Sequence, residues 1–119
     1  LQEKTILPHG LKAEELIKMM NNLGSRLIEF HVLTMLNKKP MHGYAVMTTL
    51  NKQLKINVGP STVYPQLYKL EHNGLVASKW NMDSTHHQKI YALTPRGKTF
   101  LIANAQDLKI LVAPLLIAV

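Results

Sequence analysis

Two stretches with apolar residues at helical spacing meet at Asn57-Val58-Gly59-Pro60, and two β-prone runs follow the second stretch at once. Few folds accommodate that order in so short a chain. On the near side, His42 to Leu54 sets Gly43, Met47, Leu50 and Leu54 on one face. On the far side, Val63, Leu67 and Leu70 recur at spacings of four and three, and Gly74 stands where helix termination favours a left-handed residue. Pro65 constrains where that second helix begins. An interior proline lacks a backbone donor and clashes with the carbonyl four residues back, so the helix is expected to start at about Thr62, with Pro65 in its first turn.

The flanking segments complete the pattern. Leu11 to Leu23 reads as a first helix through Ala13, Leu16, Ile17, Met20 and Leu23, with Gly24 as its C-cap. Ser25 is placed to cap a second, carried by Ile28, Val32, Met35 and Leu36 and closed by Lys38, Lys39 and Pro40. After Gly74, Leu75 to Asn81 and Gln88 to Leu93 form a hairpin around a polar Met82–His87 tip. Thr94-Pro95 then opens a last helix through Phe100, Leu101, Leu108, Leu111 and Val112, which Pro114 ends or kinks. The expected fold is mainly α with a small β-hairpin: a winged helix-turn-helix with an N-terminal helix and a C-terminal helix.

The 119 residues suffice for one domain, and the absence of cysteine removes disulfide scaffolds, thiolate nucleophiles and Cys-ligated zinc, which suits a reducing cytoplasm. The start of the chain has no basic region followed by an apolar one, and no apolar run approaches membrane-spanning length, so neither a signal peptide nor a membrane partner is expected. The charge is more informative. The formal net charge is +7, and residues 38–98 hold nine basic against two acidic side chains, so the whole excess lies there while both ends are balanced. A polyanion is the natural partner of that centre.

On the helix after the turn, Ser61, Thr62, Pro65, Tyr68, Lys69 and His72 lie away from the apolar stripe or on its flanks. Small hydroxyls at a positive helix N-terminus suit close approach to phosphates and base edges. Ser61, Thr62, Tyr64 and Gln66 are therefore candidates at the helix entrance, with His42 and Tyr44 reaching the backbone from the preceding helix. Lys38, Lys39, Lys69, Lys79 and Lys89 would neutralise phosphate, and His86 and His87 would add charge at the hairpin tip in acid. Tyr44 and Tyr68 could equally pack in a core, and Trp80 could simply cover the sheet. The six histidines include no pair at i, i+4 spacing, and no metal or other cofactor is expected. Seven carboxylates without a paired cluster, and no Gly-rich phosphate loop, argue against an enzyme.

The runs Leu33-Thr34-Met35-Leu36, Pro40-Met41-His42-Gly43-Tyr44, Gly59-Pro60-Ser61-Thr62-Val63-Tyr64-Pro65, Gly74-Leu75-Val76 and Tyr91-Ala92-Leu93-Thr94-Pro95-Arg96-Gly97 resemble the PadR family of transcriptional regulators. The resemblance spans about residues 28–101. It implies a homodimeric repressor on a two-fold operator, whose helix after the turn enters the major groove and whose Tyr64 grips the DNA backbone. It also implies a dimer made by the C-terminal helix, through Phe100, Leu101, Leu108, Leu111, Val112 and Leu115, completed by Leu16 and Met20 of the N-terminal helix. Residues 99–119 carry no net charge, which agrees. The hairpin tip departs from the family's glycine-rich form. The only tryptophan lies in the wing, so a drug site between tryptophans of the dimer helix is not carried over.

The chain thus divides into an N-terminal extension and helix (1–24), a winged helix-turn-helix DNA-binding domain (25–94) and a C-terminal dimerisation helix (95–119). The expected partners are double-stranded DNA and a second copy, with a small-molecule effector possible, and the expected location is cytoplasmic. The alternative is a winged-helix interaction module or scaffold without specific DNA binding.

Overall fold

The computed structural model describes residues 10, 12–83, 85 and 87–118. Its first element is a single helix, α1 (Ala13–Lys38), where the sequence reading expects two. Glu14 and Glu15 favour its positive start, and the Lys12 N–H donates to Glu15 Oε2 at 3.4 Å. The helix runs through Gly24 and Ser25 because neither residue terminates it. Gly24 is not among the glycines with positive φ, and the Ser25 hydroxyl accepts a hydrogen bond from Gln66 Nε2 at 2.8 Å on another helix. A tertiary bond has taken the oxygen that a cap would have used.

After Pro40 come β1 (Met41–His42), α2 (Gly43–Leu54), α3 (Pro60–His72), β2 (Val76–Asn81), β3 (Gln88–Leu93) and α4 (Pro95–Ala118). β1 pairs with β3 through Met41 opposite Tyr91 and His42 opposite Ile90, so the expected hairpin is part of a three-stranded antiparallel sheet in the order β1-β3-β2. Two residues are too few for a period-2 pattern to register in a sequence. The expected hairpin is present, paired from Val76 opposite Leu93 to Asn81 opposite Gln88.

α3 begins two residues before the expected Thr62. Pro60 occupies its first turn, and the Gly59 carbonyl accepts from the N–H groups of Thr62 and Val63 at 3.0 and 3.1 Å. Pro65 therefore stands inside the helix and leaves the Ser61 carbonyl without its usual donor. At the other end Gly74 adopts φ +76°, its N–H reaches Glu71 O at 3.0 Å, and the Leu75 N–H reaches Leu70 O at 2.9 Å. This is the Schellman termination that the glycine promised.

Two clamps fix the elements around the turn and the wing. The Asn51 side chain accepts from the Val58 N–H at 2.8 Å and donates to the Val58 carbonyl at 2.9 Å, tying the end of α2 to the entrance of α3. Thr94 Oγ1 donates to Gly74 O at 2.6 Å and accepts from the Gly97 N–H at 2.9 Å, while its own N–H donates to Leu75 O at 3.1 Å. A Cβ on Gly97 would lie 2.0 Å from the Leu75 carbonyl oxygen, so the start of α4 must cross that corner on glycine.

The core gathers Val32, Leu33, Met35 and Leu36 from α1, Val46 and Leu50 from α2, Val63, Leu67 and Leu70 from α3, and Leu75, Val76, Tyr91 and Leu101. Leu101, expected to face a partner chain, is 6% exposed and belongs to its own chain's core. Its turn of α4 lies against α1, where burial in the same chain is available. α4 continues past Pro114 to Ala118, so that proline does not end it.

Candidate nucleic-acid interface

The apolar stripe of α3 is consumed by the core, and that fixes what the helix shows to solvent. With Val63, Leu67 and Leu70 buried, Ser61, Tyr64, Pro65, Tyr68, Lys69 and His72 are exposed and Thr62 is partly so. Tyr68 stacks on His72 with ring centroids 6.3 Å apart, giving the far end of this face a flat aromatic pair. Gln66 does not join it. Its amide turns back to Ser25 of α1, so the sequence reading of Gln66 as a DNA-facing residue gives way to one that fastens α3 to α1.

His42 caps α2: its Nδ1 accepts the Ala45 N–H at 3.2 Å, which places the ring proton on Nε2. The next residue has to be glycine for a local reason. A Cβ at Gly43 would sit 2.5 Å from Cε1 of Tyr64, so the tyrosine ring of α3 lies directly on the first turn of α2. The His-Gly-Tyr and Ser-Thr-Val-Tyr-Pro runs, far apart in sequence, are thus two halves of one contact.

The wing stands beside them. Trp80 pairs in register with Lys89, and the Lys89 ammonium lies 6.0 Å from the indole centroid and 5.8 Å from the Tyr91 ring. Lys79 pairs with Ile90, one residue out of phase, so the two wing lysines occupy opposite faces of the hairpin. Lys89 also lies 3.9 Å from Glu71 Oε1, whose other oxygen accepts from the Ser78 N–H and hydroxyl at 3.1 and 2.6 Å. Lys69 is drawn toward Glu29 at 3.7 Å. Burial, with the Glu71 and Tyr64 charges behind it, holds the Tyr91 hydroxyl's pKa above the ordinary 10.0.

Between wing, α2 and α3 an open cleft of about 440 Å³ is lined by His42, Tyr44, Tyr64, Trp80, His87 and Lys89, among others. Five of the sequence candidates, His42, Tyr44, Tyr64, His87 and Lys89, meet there. Lys38 and Lys39 are exposed at the end of α1, and Lys79 is exposed on the other face of the wing. His86 lies outside the described residues, as do the side chains of Leu16, Met20, Leu108, Leu111, Val112 and Leu115. Phe100 is half-exposed on α4 and lines a second concavity with Glu29 and Arg96. Trp80 is the residue that reading by motif misses. Counting symmetrically outward from the six-residue tip would have found it opposite Lys89.

Among the described residues no three His, Asp or Glu side chains gather to hold a metal, and no helix is long and apolar enough to cross a membrane. A helix-turn-helix followed by a wing, with the second helix's polar face free and the surrounding segment basic, defines the class of winged-helix nucleic-acid binders. Residues 32–103 match the model of the transcriptional regulator PadR-like family, and the chain belongs to it. That family is one of transcriptional regulators, not enzymes.

The chain is similar to transcriptional regulator Rv3488 of Mycobacterium tuberculosis, 27% identical over 82 residues that cover 69% of this chain and 76% of the relative. It superposes on a PadR-like transcription factor from Bacteroides fragilis with a TM-score of 0.73, at 23% identity, over 86% of this chain and 99% of the other. Bacillus subtilis PadR in complex with operator DNA aligns with a TM-score of 0.59 and 27% identity, over 66% of this chain and 45% of that one.

Proposed function

We propose that this regulator works as a homodimer that occupies a two-fold symmetric operator and represses transcription, in the cytoplasm. The observation that carries the reading is the division of α3: one side wholly consumed by the core, the other left free beside a basic wing. Bacillus subtilis PadR has been crystallised with its operator, which supports DNA as the partner of the corresponding face here. Two α3 helices would enter successive major grooves about 34–36 Å apart.

The shape of the molecule supports the second copy. Its Cα radius of gyration is 17.6 Å, against about 13–14 Å for a compact chain of this length. Ile17, Leu23 and Leu27 of α1 and Ile102 and Ile110 of α4 are exposed, with Ile110 at 71%. Several exposed apolar side chains on two long helices support an interface there. Phe100 would join it. The sequence expectation adds Leu16, Met20, Leu108, Leu111, Val112 and Leu115 to that proposal.

The test is a titration against a duplex covering the DNA upstream of the protein's own coding region, beside a scrambled duplex, at two salt concentrations. Preference for the upstream duplex that survives the higher salt is the expected result. Absence of binding at either salt would move the assignment to a winged-helix interaction module.

A further inference from the structure

Trp80 is the only tryptophan in the chain and is 59% exposed, an uncommon position for the largest side chain in a basic surface. It is also close to a cation. Across the wing, Lys89 places its ammonium 6.0 Å from the indole centroid, and across the cleft stand the half-exposed Tyr64 ring and the capping His42. Aromatic faces alternate here with hydrogen-bond donors and positive charge. That alternation matches a chain of apolar sugar faces and anionic phosphates, and the Lys89 ammonium disfavours a positively charged guest.

We propose that the cleft between the wing and the start of α2 holds one sugar–phosphate unit of the DNA backbone, with the deoxyribose against Trp80 and the adjoining phosphate on Lys89 and the Nε2–H of His42. The inference rests on the DNA-binding reading and adds to it a residue and a contact. Before DNA arrives the Lys89 ammonium lies 3.9 Å from Glu71 Oε1, a partner that the phosphate would replace. Because the contact is to backbone, Trp80 contributes affinity without sequence preference.

The experiment uses the full chain. Because Trp80 is the sole indole, its emission reports on this site alone. It is followed during titration with the upstream and scrambled duplexes, in parallel with the anisotropy of labelled DNA. The expected result is an emission change that saturates with the anisotropy curve. Trp80→Ala should weaken both duplexes roughly fivefold to tenfold with an unchanged salt slope. Lys89→Ala should lower the slope by about one. Trp80→Phe, which keeps an aromatic face, should retain most of the affinity and guards against a folding defect in the alanine variant.

Unchanged emission at saturating DNA overturns the proposal, as does wild-type affinity in Trp80→Ala or a loss confined to the upstream duplex. An emission change produced by a deoxynucleoside monophosphate, with duplex affinity indifferent to Trp80, also overturns it in favour of a small-anion site. If neither duplex binds, the DNA-binding reading fails and takes the clamp with it. If both bind and Trp80 is indifferent, only the clamp fails.

Discussion

At the scale of single residues, the interface depends on what is missing from Gly43. The Tyr64 ring occupies the space where any other side chain would begin, with Cε1 2.5 Å from an ideal Cβ. Gly43→Ala should therefore displace the ring, costing about 1–3 kcal/mol of stability, and weaken DNA binding with it. In the background of Tyr64→Ala the same substitution should cost far less, and a double-mutant cycle of urea melts with DNA titrations checks the coupling. Tyr91 carries a different sensitivity. Its pKa is raised, first by burial and then by Glu71, so the folded state keeps the proton that the unfolded state releases at about 10. Stability from this group is complete below that value and is lost as pH climbs from it through the higher folded-state value. Tyr91→Phe should narrow the difference between melts at pH 8 and pH 10.5, and an unchanged difference would exclude Tyr91 as its source.

At the scale of elements, the turn between α2 and α3 is held by one side chain. Asn51 makes two hydrogen bonds to the backbone of Val58, so Asn51→Ala should cost about 1–3 kcal/mol and loosen the angle between the helices. The expected outcome is a lowered melting temperature together with poorer discrimination between operator and scrambled duplex, read by melting and anisotropy. The elements themselves were largely legible: the α3 stripe, its terminating Gly74, the two strands of the hairpin and the Thr94-Pro95 opening follow from spacing and capping chemistry. What escaped did so for physical reasons. Gly24 and Ser25 look like a break, but Gln66 supplies Ser25 with a tertiary partner, and propensity yields to packing. β1 is a two-residue strand defined only by pairing with a distant one. The cleft assembles from His42, Tyr64 and Trp80, whose proximity no local pattern encodes. Gln66 and Leu101 were misplaced because a helical wheel gives faces without saying which neighbour each face meets.

At the scale of the whole molecule, the body measures 58 × 38 × 26 Å, with exposed apolar side chains on the two long helices and most of the net charge on the segment between them. That separation makes association and DNA binding separately addressable. Ile110→Glu, which places a charge on the exposed flank of α4, should shift the proposed dimer to monomer in sedimentation. It should also reduce operator affinity by far more than affinity for a scrambled duplex, because only the paired heads span a two-fold site. A dimer that persists in Ile110→Glu would move the contact to α1.

α1 has a mechanical consequence as well. It is one rod of 26 residues, about 39 Å long, whose last turns are locked into the reading head while Ile17, Leu23 and Leu27 face outward. Two helices joined by a cap at Gly24 would have formed a joint able to absorb misalignment between the copies. A continuous rod transmits it. In the proposed dimer, tolerance for half-site spacing is therefore narrow: an operator lengthened by a single base pair meets two heads that cannot swivel independently to follow the rotated groove.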